Sequence, residues 1–286
     1  MYTLTITNKD NRKLVFNGLD AAYNITKIQG LSPAKATINT SQAALIDGGI
    51  FNSAKLNMRS INMAFTIEEP VEANRLEVYQ VLRMKEKVTV TYKSPKIDAY
   101  VEGYVEQIDV GHFDKKQKAT ITLLCPFAYW QSAQSIINEI SSTLSRFRFP
   151  FHNLVNTTDI IFGLISNEAK AVVPNAGGIE TGVIFEILAN DSASGIKIFD
   201  YIKGDFIGVD FDMQPADLIR INTKQGQKSI TLVRNAIETN IFNSLMKDST
   251  WLQLAAAGSV YVYTVESGSP SSLEVTIKHN NLYEGV

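Results

Sequence analysis

From Tyr2 onward the chain alternates apolar and polar residues in short runs, the period-two pattern of strands that bury one face. "YTLTIT" alternates, and "KLVFNGLD" sets Leu14 and Phe16 on one face ahead of an Asn17-Gly18 turn. In "KLNMRSINMAFTIEE" Leu56 and Met58 share one parity, whereas Ile61, Met63, Phe65 and Ile67 share the other. The phase flips at Arg59-Ser60. One added residue turns every later side chain to the opposite face, so the pattern predicts a β-bulge there or a strand that leaves one sheet for another.

The period then becomes helical. In "EEPVEANRLEVYQVLRMKEK" Leu76, Tyr79 and Leu82 recur behind Pro70, a residue tolerated in a first helical turn. Glu68 and Glu69 before it, and Arg83, Lys85 and Lys87 at its end, suit the helix macrodipole. The expected helix packs its Tyr79 side on a sheet and turns Arg75 and Glu77 to water. "KVTVTYK", "AYVEGYVEQIDV" and "KATITLLC" resume the alternation. The N-terminal part therefore reads as a β-sheet or barrel with one flanking helix.

After Trp130 the pattern changes. In "QSAQSIINEISSTLSRFRF" Ile136, Ile137, Ile140 and Leu144 form a narrow helical stripe among serines, read as a connector ending at Pro150. "GVIFEILAN", "IKIFDYIKGDFIGVDF", "DLIRINTKQGQKSITLVR" and "SVYVYTVESGSPSSLEVTIKHN" are further strands. Ile219 and Ile221 return as Ile230 and Leu232 across a Gly-containing hairpin turn. "ETNIFNSLMKDSTWLQL", with Ile241, Leu245 and Trp251, reads as a short helix or loop. Many short strands between regular turns predict a mainly β chain whose second half is a jelly-roll β-sandwich. The organisation expected is residues 1–131, a connector over 132–150, and a sandwich over 151–286.

Composition narrows the function. The 286 residues suit two domains, at a soft prior of roughly 150 each. With 27 basic against 29 acidic side chains, the net charge of −2 gives no field that would hold a polyanion. "FDKKQK" at 113–118 is a solvated loop. The single cysteine, Cys125, rules out a disulfide within the chain and reads as a buried strand residue. "MYTLTITNKD" carries no secretory pattern, and no stretch nears the roughly 18 apolar residues of a membrane span.

Candidate chemistry is thin. Asp47-Gly48-Gly49 lacks the spacing of a phosphate loop and precedes a strand, so it reads as a bend, like Ala176-Gly177-Gly178. His112, His152 and His279 show no metal-ligand spacing, and no Ser lies in a nucleophile elbow. No cofactor or metal site is expected. Asp205, Asp210, Asp212 and Asp217 cluster in "GDFIGVDFDMQPAD"; Asp210 and Asp212 share a strand face, either as a wet surface, a cation site or an acid–base pair. Among the aromatics, Trp130, Trp251 and the same-face pair Tyr261 and Tyr263 are either core residues or a stacking platform for sugar.

Taken in order, "GLSPAKATINTS", "DGGIFNS", "MRSINMAFTIEE", "EANRLEVYQVLRMKEKVTVTYK", "AYVEGYVEQIDVGHF" and "ITLLCPFAYW" resemble the distal tail protein family of tailed bacteriophages. "PNAGGIETGVIFEI", "GDFIGVDF", "DLIRINTKQGQKSITL", "NSLMKDSTWLQLAAAG" and the final "YEGV" extend the likeness over nearly the whole chain. The resemblance departs at Arg59-Ser60, where the family has Arg-Asn, and at Asn175–Gly178, where it has Asn-x-Gly-Asp. It implies a non-enzymatic hub of long, non-contractile tails, assembled in the host bacterial cytoplasm and carried at the virion tail tip. N-terminal domains would form a hexameric ring, with galectin-like or carbohydrate-binding-module-like sandwiches outside. The ring would join the tail tube to a tail-associated lysin or baseplate protein and pass DNA without binding it. Strand pairing between neighbours would cover the open edges of the first domain. The expected ring contacts are Asp47, Gly48, Gly49, Phe51 and Arg59; Trp251, Tyr261 and Tyr263 are the alternative contacts to host cell-wall polysaccharide.

Overall fold

The computed structural model describes residues 2–17, 22–42, 47–113, 116–140, 143–145, 163–165 and 170–286; Gly18, Asp114, Lys115, His152 and positions 141–142 and 146–150 of the expected connector lie outside them. The chain is mainly β and divides into two units. One comprises residues 1–134 with 282–286, the other residues 135–281.

Among its described residues the first unit holds ten strands ahead of Leu282–Tyr283, which pairs with the last of them: β1 (Thr3–Asn8), β2 (Lys13–Phe16), β3 (Tyr23–Gln29), β4 (Ala36–Ser41), β5 (Ile50–Leu56), β6 (Arg59–Ile67), β7 (Lys87–Lys93), β8 (Asp98–Val110), β9 (Gln117–Cys125) and β10 (Trp130–Ser132). The main sheet runs β2-β1-β7-β8-β9-β6-β3. Alternation works as expected: Leu14 and Phe16, then Ile61, Met63, Phe65 and Ile67, all enter one core. Among the described residues the path ends on β2 and β3 with no ladder between them, so the sheet curls without closing. Phe16, Tyr23 and Phe65 close the inner side of that seam with ring centroids 5.1–5.9 Å apart.

The phase flip is a change of sheet. Among the described residues β5 pairs only with β4, and β6 enters the main sheet after a two-residue gap. The break falls at Asn57-Met58, just before the expected Arg59-Ser60.

Helix α1 (Val71–Val81) forms where expected but is shorter and turned differently. Val78, Val81 and the following Leu82 are buried, whereas Leu76 and Tyr79 are exposed. Tyr23 fixes this rotation, its hydroxyl lying 3.0 Å from Asn74 O and 2.8 Å from Glu77 Oε2, both acceptors. The helix ends before Arg83, so none of the three basic residues lies in its last turn.

The second unit contains β11 (Ile136–Ile140), β12 (Thr143–Ser145), β13 (Gly163–Ile165), β14 (Lys170–Val173), β15 (Thr181–Ala189), β16 (Ile196–Asp200), β17 (Phe206–Val209), β18 (Leu218–Asn222), β19 (Ser229–Arg234), β20 (Ile237–Asn240), β21 (Gln253–Leu254), β22 (Ser259–Thr264) and β23 (Leu273–His279). One sheet runs β11-β23-β15-β18-β19-β20 and the other β14-β22-β16-β17. Phe185, Ile219, Ile221 and Ile277 from the first meet Ile198, Ile207, Tyr261 and Tyr263 from the second in one core. The expected β18–β19 hairpin forms, with Ile219 opposite Leu232 and Ile221 opposite Ile230.

Ile136–Ile140 is a strand rather than the expected helix. It pairs with β23 from His279 to Val275, and Ile140 is buried. Over so short a run, apolar residues at positions 136 and 140 satisfy both periods, and the open edge of β23 decides. In "ETNIFNS", Ile237–Asn240 is an edge strand and Phe242–Ser244 a single 3₁₀ turn.

Candidate functional site

The feature without an internal explanation is the β4–β5 ribbon. It is a two-stranded sheet outside the main one, and its residues are exposed on both faces, with only Thr37 and Leu56 partly covered. Opposed residues of an antiparallel pair share a face. Ala36 and Leu56, Ile38 and Ala54, and Thr40 and Phe51 lie opposite each other on one side. Thr37 and Lys55, Asn39 and Ser53, and Ser41 and Ile50 occupy the other. Asn39 Nδ2 donates to Ser53 Oγ at 2.9 Å on that polar side. The first side is apolar, yet Ile38 is 62% and Phe51 64% exposed. A lone two-stranded ribbon is marginal in water, and one that shows Ile and Phe to solvent has a face to cover.

Asp47-Gly48-Gly49 lies at the tip of this arm. Gly48 has φ +93° with open space around its α-carbon, the left-handed geometry of a turn. The tip feeds β5, as the sequence predicts. Gly178 likewise has φ +68° in its turn.

The arm's base is closed and anchored by hydrogen bonds. Asn57 N donates to Lys35 O at 2.9 Å, and Arg59 lies directly behind it. Arg59 is 1% exposed, which overturns its expected place among ring contacts: it cannot touch another chain. Its guanidinium donates to the carbonyls of Gly30, Ser32 (2.6 Å), Ala128 (2.8 Å from Nη2) and Glu284 (2.5 Å). Its Cζ sits 5.5 Å from the Trp130 ring centre. Trp130 is buried there and offers no sugar platform. Burial pulls the Arg59 pKa down, opposed by the neighbouring Cys125. Burial pushes the Cys125 thiol up to about 11, opposed by Arg59, so the thiol is protonated at neutral pH.

Beside the arm's base the β2/β3 seam opens as a groove of about 660 Å³. Its walls include Tyr2, Leu4, Phe16, Ile25, Ile28 and Tyr92.

In the second unit, Tyr261 and Tyr263 follow the core alternative and form no sugar platform. Both are buried: Tyr261 packs edge-on against Phe185 at 5.3 Å, and the Tyr263 hydroxyl donates to Pro270 O at 2.7 Å. Alternation places them on one face, and that face is the core. Trp251 is half-buried, stacked on the exposed Phe242 at 5.8 Å with Lys228 Nζ 5.3 Å from its ring centre. Of the carboxylates, Asp210 and Asp212 are exposed, while Asp217 is buried and held by Arg234 Nε at 2.8 Å. Among the described residues no three His, Cys, Asp or Glu side chains gather as a metal site, and no helix is long and apolar enough to cross a membrane.

The sequence matches no family model and no curated protein. Solved structures do match. The SPP1 Dit (gp 19.1) protein, described as a paradigm of the hub adsorption apparatus in Gram-positive infecting phages, superposes with a TM-score of 0.67 at 14% identity, covering 97% of this chain and 98% of that one. A chain of the phage P2 baseplate in its activated conformation with Ca superposes at 0.53 and 13% identity, covering 98% of both. The same baseplate with Sr gives 0.53 at 14%, again over 98% of both. The fold is therefore Dit-like over nearly its full length.

Proposed function

We propose that this chain is a structural, non-catalytic subunit of a phage tail tip, whose N-terminal unit assembles with copies of itself into a hexameric ring. The ring joins the tail tube to tail-tip or baseplate proteins, and DNA leaves through its bore. The observation that carries this reading is the β4–β5 arm, anchored at its root by Arg59 and apolar on a face that the described residues leave bare. The Dit-like fold supports the setting, a virion tail assembled in a bacterial cytoplasm. Asp47, Gly48, Gly49 and Phe51 on the arm remain the proposed ring contacts. The near-balanced charge suits a channel through which DNA must slip, since neutralised phosphates would hold it back. Electron microscopy of the purified chain, alone and with the tail-tube protein, tests the reading: six-fold rings support it, and single particles under both conditions refute it.

A narrower second reading rests on Trp251. With Tyr261 and Tyr263 in the core, the stacked Trp251–Phe242 pair is the aromatic surface left for cell-wall sugar among the expected contacts. Titration of the full chain with cell-wall polysaccharide should then show saturable binding that Trp251→Ala weakens. A flat titration removes this reading.

A further inference from the structure

We propose that the groove at the β2/β3 seam receives the apolar face of the β4–β5 arm of a second copy of this chain. The inference rests on the ring reading above and names the surface on which the ring closes.

Three observations select this occupant. Among the described residues, groove and arm both show apolar side chains to solvent: Ile25 and Tyr2 on one, Ile38 and Phe51 on the other, are all exposed. The arm's root is anchored on its own chain, since Arg59 holds the carbonyls of Gly30 and Ser32, where the chain enters the arm. The groove wall at Leu31 lies between those two residues, so groove and arm root are built on one stretch of chain.

The third observation concerns the edges. β2 is only four residues long, and β3 shifts register between Ile25 and Lys27, with Thr26 Oγ1 donating back to Ala64 O at 3.0 Å. A short strand and a bulge both discourage the addition of another strand. Contact by backbone pairing, the mode expected from the sequence, is therefore disfavoured at both ends of the sheet. Side chains entering the seam between them meet no such obstacle. Ile38 and Phe51 share the arm face that would enter. A volume of about 660 Å³ is within the range of roughly 300–1,000 Å³ typical of sites that bury a sizeable apolar ligand.

The contact is heterologous, because each copy presents its arm to one neighbour and its groove to the other. Such a head-to-tail contact closes into a ring when the rotation between copies allows it.

Cysteine pairing tests the assignment against a quiet background, since the single native thiol, Cys125, is buried. Phe51→Cys chains are mixed with Ile25→Cys chains under assembling conditions and oxidised mildly. Covalent dimers should form at least tenfold faster than when Phe51→Cys is mixed with Ile202→Cys, an exposed position in the second unit. In parallel, Tyr2→Asp, at an exposed position, should block assembly while leaving the melting temperature unchanged. If rings form but Phe51→Cys pairs no better with Ile25→Cys than with Ile202→Cys, the groove assignment fails and the ring reading survives. If no assembly forms, the ring reading fails and takes this inference with it.

Discussion

Arg59 donates to the backbone carbonyl of Glu284, 225 residues further along the chain. The same guanidinium holds Gly30 and Ser32, the residues at which the chain leaves β3 for the arm. The chain terminus and the arm root are thereby locked to one side chain. Val286 N adds a second tie, to Leu31 O at 3.1 Å.

That lock depends on the planar fork of arginine. Lysine has three donors at one point and cannot span four separate carbonyls. Arg59→Lys should destabilise the first unit by about 3 kcal/mol or more, since each buried carbonyl left without a donor costs about 1–3 kcal/mol. Deleting Glu284–Val286 removes two bonds and should cost about 1–3 kcal/mol, near 1 kcal/mol per bond plus lost packing. Urea titrations of the full chain measure both, and an Arg59→Lys protein as stable as wild type would contradict the lock.

Gly30 is a second requirement of the arm root. At φ +95° a methyl group would lie 2.2 Å from Ser60 O, a backbone atom that cannot give way. Gly48, at the arm tip, has φ +93° but open space. Gly48→Ala should therefore cost only the left-handed strain of about 1–2 kcal/mol, and Gly30→Ala distinctly more. Equal melting temperatures for the two variants would show that the close approach at Gly30 is unimportant.

The arm's apolar face should matter to assembly and not to folding. Ile38→Asp and Phe51→Asp alter exposed side chains, so each should change monomer stability by no more than about 0.5 kcal/mol. Each should nevertheless abolish self-association, because a charge would have to enter an apolar contact. Circular dichroism melts beside sedimentation velocity separate the two effects. Lost structure in both variants would mean that the arm serves the monomer.

His279 ties stability to pH. It is buried in the second unit, and that burial, reinforced by the charge of Lys224, lowers its pKa below the usual value of 6.5. In the unfolded chain it titrates near 6.5, so below that pH the unfolded state binds a proton that the folded state refuses. Its contribution to stability should be full above about pH 6.5 and fall as the pH drops below it. His279→Gln should flatten this slope in melts taken from neutral pH down to about pH 5. An unchanged slope would remove His279 as its source.

Alternation in the sequence reveals most of the strands, because a sheet with one buried face writes its period into the residues. It tells which residues share a face, not which face turns inward. Tyr261 and Tyr263 do lie on one side of β22, but only the opposing sheet with Phe185 makes that side the core. In α1 two apolar stripes compete, Leu76 with Tyr79 and Val78 with Val81 and Leu82. Tyr23, 51 positions before Asn74, selects the second. Arg59 reads as a surface charge because its acceptors at Ala128 and Glu284 lie 69 and 225 residues away. The arm itself is legible as a phase flip, yet its isolation from the main sheet appears only once β3 and β6 are paired.

Light scattering on the purified chain, alone and mixed with tail-tube protein, addresses the central claim that one copy's arm completes another. Wild type should reach the mass of a hexamer in at least one of these conditions, and an Ile38→Asp, Phe51→Asp double variant should remain monomeric in both. A wild-type chain that stays a monomer or a dimer throughout, or a double variant that assembles as wild type does, would contradict the account.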